Sequence, residues 1–108
     1  MNYDPLLHPP PNITDYYPQT PLNVTAPSTI TFYFQTDVGV DFAWCRNGDC
    51  DPRIMDPQSY CQGYYFYNDC GRTYTFETPG TEIIVANVST YWEQIPVYAN
   101  QTWIVNVS

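Results

Sequence analysis

With 108 residues and 44% hydrophobic content, the chain carries enough apolar side chain for one domain core. A net charge of −8, with three arginines and no lysine to oppose the acids, repels a phosphate backbone and argues against nucleic acid as a partner. Eleven Tyr, twelve Thr and eleven Pro favour strands and turns over helix, and no stretch approaches the roughly 18 apolar residues of a membrane span, so direct membrane insertion is not expected.

Residues 1–27 hold seven of the eleven prolines, including Pro9, Pro10 and Pro11, and such a segment prefers extended polyproline II. It is expected to be an arm or linker that reaches about 80 Å when fully extended. Within it, residues 21–26 carry a strand pattern, with Leu22, Val24 and Ala26 on one face and Asn23 and Thr25 on the other. That strand either belongs to the arm's own domain or adds to the sheet of a neighbouring copy. The first five residues have neither the basic start nor the apolar run of a secretory signal, so any export signal is expected in a longer precursor or a segment already removed.

The domain proper is expected over residues 28–108. Ser28 to Gln35 alternates Ile30, Phe32 and Phe34 with Thr29, Thr31, Tyr33 and Gln35. A second strand points Val38, Val40, Phe42 and Trp44 inward. It ends at Arg46-Asn47-Gly48-Asp49, a strong type I′ hairpin signal that would set Cys45 opposite Cys50. Cross-strand neighbours lie within disulfide reach, which favours Cys45 with Cys50 and leaves Cys61 with Cys70. Zinc is a poor alternative, because there is no Cys-x-x-Cys pair and the single His is His8.

Residues 49–60 are expected to form a loop, since Pro52 and Pro57 discourage regular pairing. Asp49, Asp51 and Asp56 cluster there, but their spacing fits no calcium loop and suits a solvated acidic turn. Tyr64 to Tyr67 is aromatic on both faces and is expected to be core on one side and a subunit contact on the other, before a turn at residues 68–71. Tyr74 and Phe76 share the face of the next strand. After Pro79-Gly80, Ile84, Ala86 and Val88 form one face, and Ile83 and Val85 share the other with Asn87. Residues 91–98 suggest an edge strand because of Pro96, and Ala99-Asn100 suggests a turn into a last strand with Trp103, Val105 and Val107 inward.

Five of the eight asparagines, Asn12, Asn23, Asn87, Asn100 and Asn106, begin an Asn-x-Ser/Thr triplet, where the Ser and Thr content leads one to expect about one by chance. Such acceptors lie on the exposed surface of secreted proteins. With four cysteines in so short a chain they imply an extracellular, secreted or cell-surface protein with covalent N-glycans and no other cofactor.

From Gly63 onward the chain resembles the carboxypeptidase-regulatory-like, transthyretin-like sandwich modules of surface and secreted proteins. The resemblance rests on Gly63-Tyr64-Tyr65-Phe66, Tyr74-Thr75-Phe76, Pro79-Gly80-Thr81, Tyr91-Trp92 and Asn100-Gln101-Thr102 leading to Val105-Asn106-Val107. Glu82, Thr90 and Asn100 depart from that pattern. The resemblance implies a structural or interaction domain without catalytic residues.

The expected fold is therefore all-β, an antiparallel sandwich of about seven strands, Ig-like or transthyretin-like, behind an extended Pro-rich arm. Catalysis is not expected, because the one His lies in the arm and every Cys has a partner. The leading expectation is a structural subunit that forms a filament or surface fibre, a homo-oligomer or helical polymer in which the arm complements the next copy. Leu22, Val24, Ile83, Val85, Tyr65 and Tyr67 would make the contact. The alternative is a carbohydrate- or protein-binding module of a larger adhesin or receptor.

Overall fold

The computed structural model describes residues 11–37, 41–52, 59–63, 68–92 and 95–108. Nine strands are present among them: β1 (Ile13–Tyr17), β2 (Leu22–Val24), β3 (Ser28–Thr36), β4 (Asp41–Arg46), β5 (Asp49–Pro52), β6 (Ser59–Gly63), β7 (Asn68–Phe76), β8 (Gly80–Trp92) and β9 (Ile95–Val107). They form two sheets, β1-β3-β7-β6 and β2-β9-β8-β4-β5. Taken in chain order, these are the A-B-E-D and G-F-C-C′ neighbours of an immunoglobulin-type sandwich, which fixes architecture and leaves function open.

Alternation drives the packing. Phe32, Phe34, Tyr74 and Phe76 from the first sheet meet Trp44, Ile84, Ala86, Val88, Trp103, Val105 and Val107 from the second, all of them buried. Aromatic contacts dominate the centre. Trp103 lies edge-on to Phe32 at 5.2 Å and stacks on Trp44 at 5.9 Å, and Phe34 packs on Trp44 at 5.4 Å. The phase of β8 is thereby settled: Ile84, Ala86 and Val88 face the core, and Ile83 and Val85 face out.

The boundary between arm and domain moves. Residues 13–17, expected in the extended arm, are a strand of the sandwich, and the strand pattern read over 21–26 forms a strand at 22–24. β1 pairs antiparallel with β3, with an irregularity between Ile13 and Asp15. The extra residue, Thr14, breaks the period of two and lets Ile13 and Tyr16, three apart, both pack on the core. The chain then changes sheets across residues 18–21. β2 pairs parallel with β9, Leu22 opposite Val105 and Val24 opposite Val107, an exception to the all-antiparallel expectation.

Leu22 and Val24, expected at a contact between copies, are half-buried against the core of their own chain. Hydrogen bonds hold this segment in cis. Trp103 Nε1 donates to the Pro18 carbonyl at 2.7 Å, the Ile104 amide to Thr20 Oγ1 at 2.9 Å, and the Ser108 amide to the Val24 carbonyl at 2.9 Å.

Three local expectations also shift. Within the expected loop over 49–60, residues 49–52 form β5 and residues 59–60 begin β6. Asn68 to Gly71 continues β7 because it is paired on both sides, with β3 and with β6, and long-range pairing overrides the turn preference of Asn, Asp and Gly. Ala99 and Asn100 do not turn. They sit within β9, opposite Val88 and Asn87, so that β8 and β9 form one hairpin of two 13-residue strands. Tyr65, Tyr67, His8, Asp56, Val38 and Val40 lie outside the described residues.

Candidate functional site

Each disulfide closes one hairpin rather than joining the sheets. Cys45 and Cys50 are opposite one another on β4 and β5, and Cys61 and Cys70 on β6 and β7, each pair bridged. Asn47 and Gly48 take positive φ of 52° and 86°, the geometry of a type I′ turn. Two disulfides in a small all-β domain are typical of oxidising, extracellular surroundings. Among the described residues no helix is long and apolar enough to cross a membrane, and no cluster of three His, Cys, Asp or Glu could hold a metal ion.

The surface with most chemistry is the outer face of the five-stranded sheet. Its rungs follow from the one-to-one register of β8 with β9: Thr81 opposite Asn106, Ile83 opposite Ile104, Val85 opposite Thr102, Asn87 opposite Asn100, and Ser89 opposite Tyr98. β2 extends the first rung, with Asn23 opposite Asn106. β4 extends three of the others, with Cys45 opposite Val85, Ala43 opposite Asn87 and Asp41 opposite Ser89.

Two features stand out on this ladder. Ile83 and Ile104 are directly opposed and exposed, at 44% and 42%, and beside them Val85 is half-buried. Four of the five Asn-x-Ser/Thr asparagines share the face as two cross-strand pairs, Asn23 with Asn106 and Asn87 with Asn100, all four exposed. The pairs lie six residues apart along β9, about 20 Å at roughly 3.3 Å per residue. The isoleucines stand between them. The fifth, Asn12, is exposed just before β1, its backbone N–H donating to Asp37 Oδ1 at 2.9 Å.

Polar contacts fix the ends of the ladder. Thr81 Oγ1 bonds Asn106 Oδ1 at 3.2 Å. Asn47 caps the β4–β8 pairing: its Oδ1 accepts from the Ile83 amide at 2.8 Å, its amide donates to the Ile83 carbonyl at 2.8 Å, and its Nδ2 reaches Glu82 Oε1 at 3.2 Å. The same Glu82 oxygen takes Arg46 Nε at 2.7 Å, and the Arg46 guanidinium lies 4.9 Å from the centre of the Phe76 ring. At the Asn87 rung and the next, Asn87 itself, Asp41, Phe42, Ala43, Ser89 and Tyr98 line a small pocket, with Val88 at its base. Tyr98 itself is 68% exposed.

Of the residues expected at a contact surface, Ile83 and Val85 are on this face and Leu22 and Val24 are not. Ile104 and Tyr98, exposed on the same face, were not among those residues, although the alternation through Trp103, Val105 and Val107 already points Ile104 outward. Comparison with family models and with curated proteins finds no match for this sequence.

Proposed function

We propose that the chain is an extracellular, N-glycosylated recognition module that takes a protein partner on the outer face of its five-stranded sheet. One observation carries the reading: Ile83 and Ile104, opposed and exposed, form an apolar strip with Val85 on a face otherwise set with glycan acceptors. Exposed apolar side chains that adjoin on one face mark interaction sites more often than isolated ones do. Sugars at the two acceptor pairs would leave the strip open between them and restrict approach to a narrow element of the partner. The filament reading, by contrast, needs a donor strand, and β2, the strand expected to donate, is paired with the end of β9 in its own chain.

The test uses the glycosylated chain secreted from eukaryotic cells, displayed as a tetramer on an array of cell-surface ectodomains and on a glycan array. Binding to a protein spot that is lost on Ile83→Glu with Ile104→Glu, while mass and thermal melting stay unchanged, supports the reading. Binding confined to glycans, or protein binding that survives both substitutions, overturns it.

A further inference from the structure

β9 is an edge strand over most of its length. Its pairing with β8 runs from Ile95 to Val107, but β2 covers only Val105 to Val107 on the other side. The Ile104 amide donates to Thr20 and the Ser108 amide to Val24, so the even-numbered residues direct their backbone groups away from β8. Regular register carries that phase back through Thr102, Asn100 and Tyr98 to Pro96. Among the described residues no strand covers this stretch.

An edge of this length with Tyr98 exposed beside it is a template for pairing with another chain. Both ends of the open stretch are already blunted. Pro96 has no N–H to offer where an edge donor would stand. At the other end Gln101 Nε2 donates to the Thr102 carbonyl at 3.0 Å and occupies that edge acceptor. Between these two devices no described strand pairs with the backbone of Tyr98 and Asn100, and Asn100, exposed and central to the gap, begins the triplet Asn100-Gln101-Thr102.

We infer that Asn100 carries an N-glycan whose role is to cap the open β9 edge and so prevent two copies from pairing β9 to β9 into a continuous sheet. The inference rests on the exported, glycosylated state proposed above and adds a task for one particular acceptor. Asn87 provides the contrast, because it stands on the same face directly opposite Asn100 but on β8, an interior strand flanked by β4 and β9. A glycan on Asn87 shields a face; one on Asn100 shields a face and an edge.

Glycopeptide mass spectrometry of the secreted chain, with light scattering of the same material, separates the two readings. Wild type and Asn87→Gln are expected to be monomers. Asn100→Gln and Thr102→Ala, which destroy the same triplet through different residues, are expected to reach a mass of two chains or more as concentration rises. Adding Tyr98→Lys to Asn100→Gln should restore the monomer by placing a charge on the edge. An unoccupied Asn100 in a monomeric wild type, monomeric variants of the triplet, or association of Asn87→Gln to the same extent would each overturn the edge cap. A chain with no glycan at any acceptor would instead overturn the export reading on which it rests.

Discussion

Trp103 of β9 stacks on Trp44 of β4, ring centres 5.9 Å apart and planes 21° from parallel, while its indole N–H donates 2.7 Å to the carbonyl of Pro18. One side chain thus joins the core of the second sheet to the segment where the chain passes from the first sheet to the second. In an immunoglobulin-type sandwich a disulfide between the sheets can pack against a core tryptophan. Here both disulfides lie within hairpins, and aromatic packing joins the layers.

Two substitutions divide that contribution. Trp103→Phe keeps most of the buried area but leaves the Pro18 carbonyl without its donor, and is expected to cost about 1–3 kcal/mol. Trp103→Ala adds a cavity among Phe32, Trp44 and Tyr16, for a cost of about 3–5 kcal/mol. Urea unfolding followed by fluorescence measures both. Equal losses for the two would mean that the hydrogen bond, and not the packing, holds the leading segment.

Sequence alone revealed the interior strands well and the first edge poorly. Ile30, Phe32 and Phe34 alternate with Thr and Tyr without interruption, so the period of two is visible, as it is for Trp103, Val105 and Val107. β1 was hidden because Thr14 is a bulge, which leaves its two inward residues three apart inside a proline-rich background. The β8–β9 hairpin was misjudged at Ala99-Asn100, where a turn-forming pair is held extended by an unbroken ladder. For the candidate site, the Asn-x-Ser/Thr triplets and the two faces of β8 were legible, but which face turns outward was not. Nor was their arrangement, since the rungs Ile83–Ile104 and Asn87–Asn100 depend on the register between distant strands.

The cis seat of β2 has a direct consequence for stability. Leu22 and Val24 cover the core edge beside Val105 and Val107, so Leu22→Asp or Val24→Asp puts a charge against apolar side chains. Each is expected to lower stability by about 1–3 kcal/mol. Thermal melting of the monomer fraction measures the loss. Unchanged melting with altered mass would show that the segment serves a neighbouring copy in solution.

The disulfides close short loops, with sequence separations of 5 and 9. Loop entropy therefore assigns each roughly 2–3 kcal/mol. Paired replacement of Cys45 and Cys50 by Ala should leave the fold intact, because Asn47 still binds β8 through three hydrogen bonds to Ile83 and Glu82. Replacement of Cys61 and Cys70 opens the longer of the two loops and should cost more. Guanidinium midpoints of the two double variants give the order, and the reverse order would contradict this assignment.

Asn47 combines two roles that a pair of variants can separate. Its φ of 52° suits the turn, and its side chain bonds the Ile83 amide and Glu82. Asn47→Gly keeps the backbone geometry without strain and loses only the side-chain bonds, for a cost of about 1 kcal/mol. Asn47→Ala loses the same bonds and must also hold a side chain at positive φ, which adds roughly 1 kcal/mol. The difference between them, read from urea midpoints, reports the strain, and the loss in Asn47→Gly reports the cap. Because that cap fixes the β8 backbone at Ile83, Asn47→Gly should also increase hydrogen exchange at the Ile83 amide. Protection equal to wild type would mean that the ladder alone positions the apolar strip.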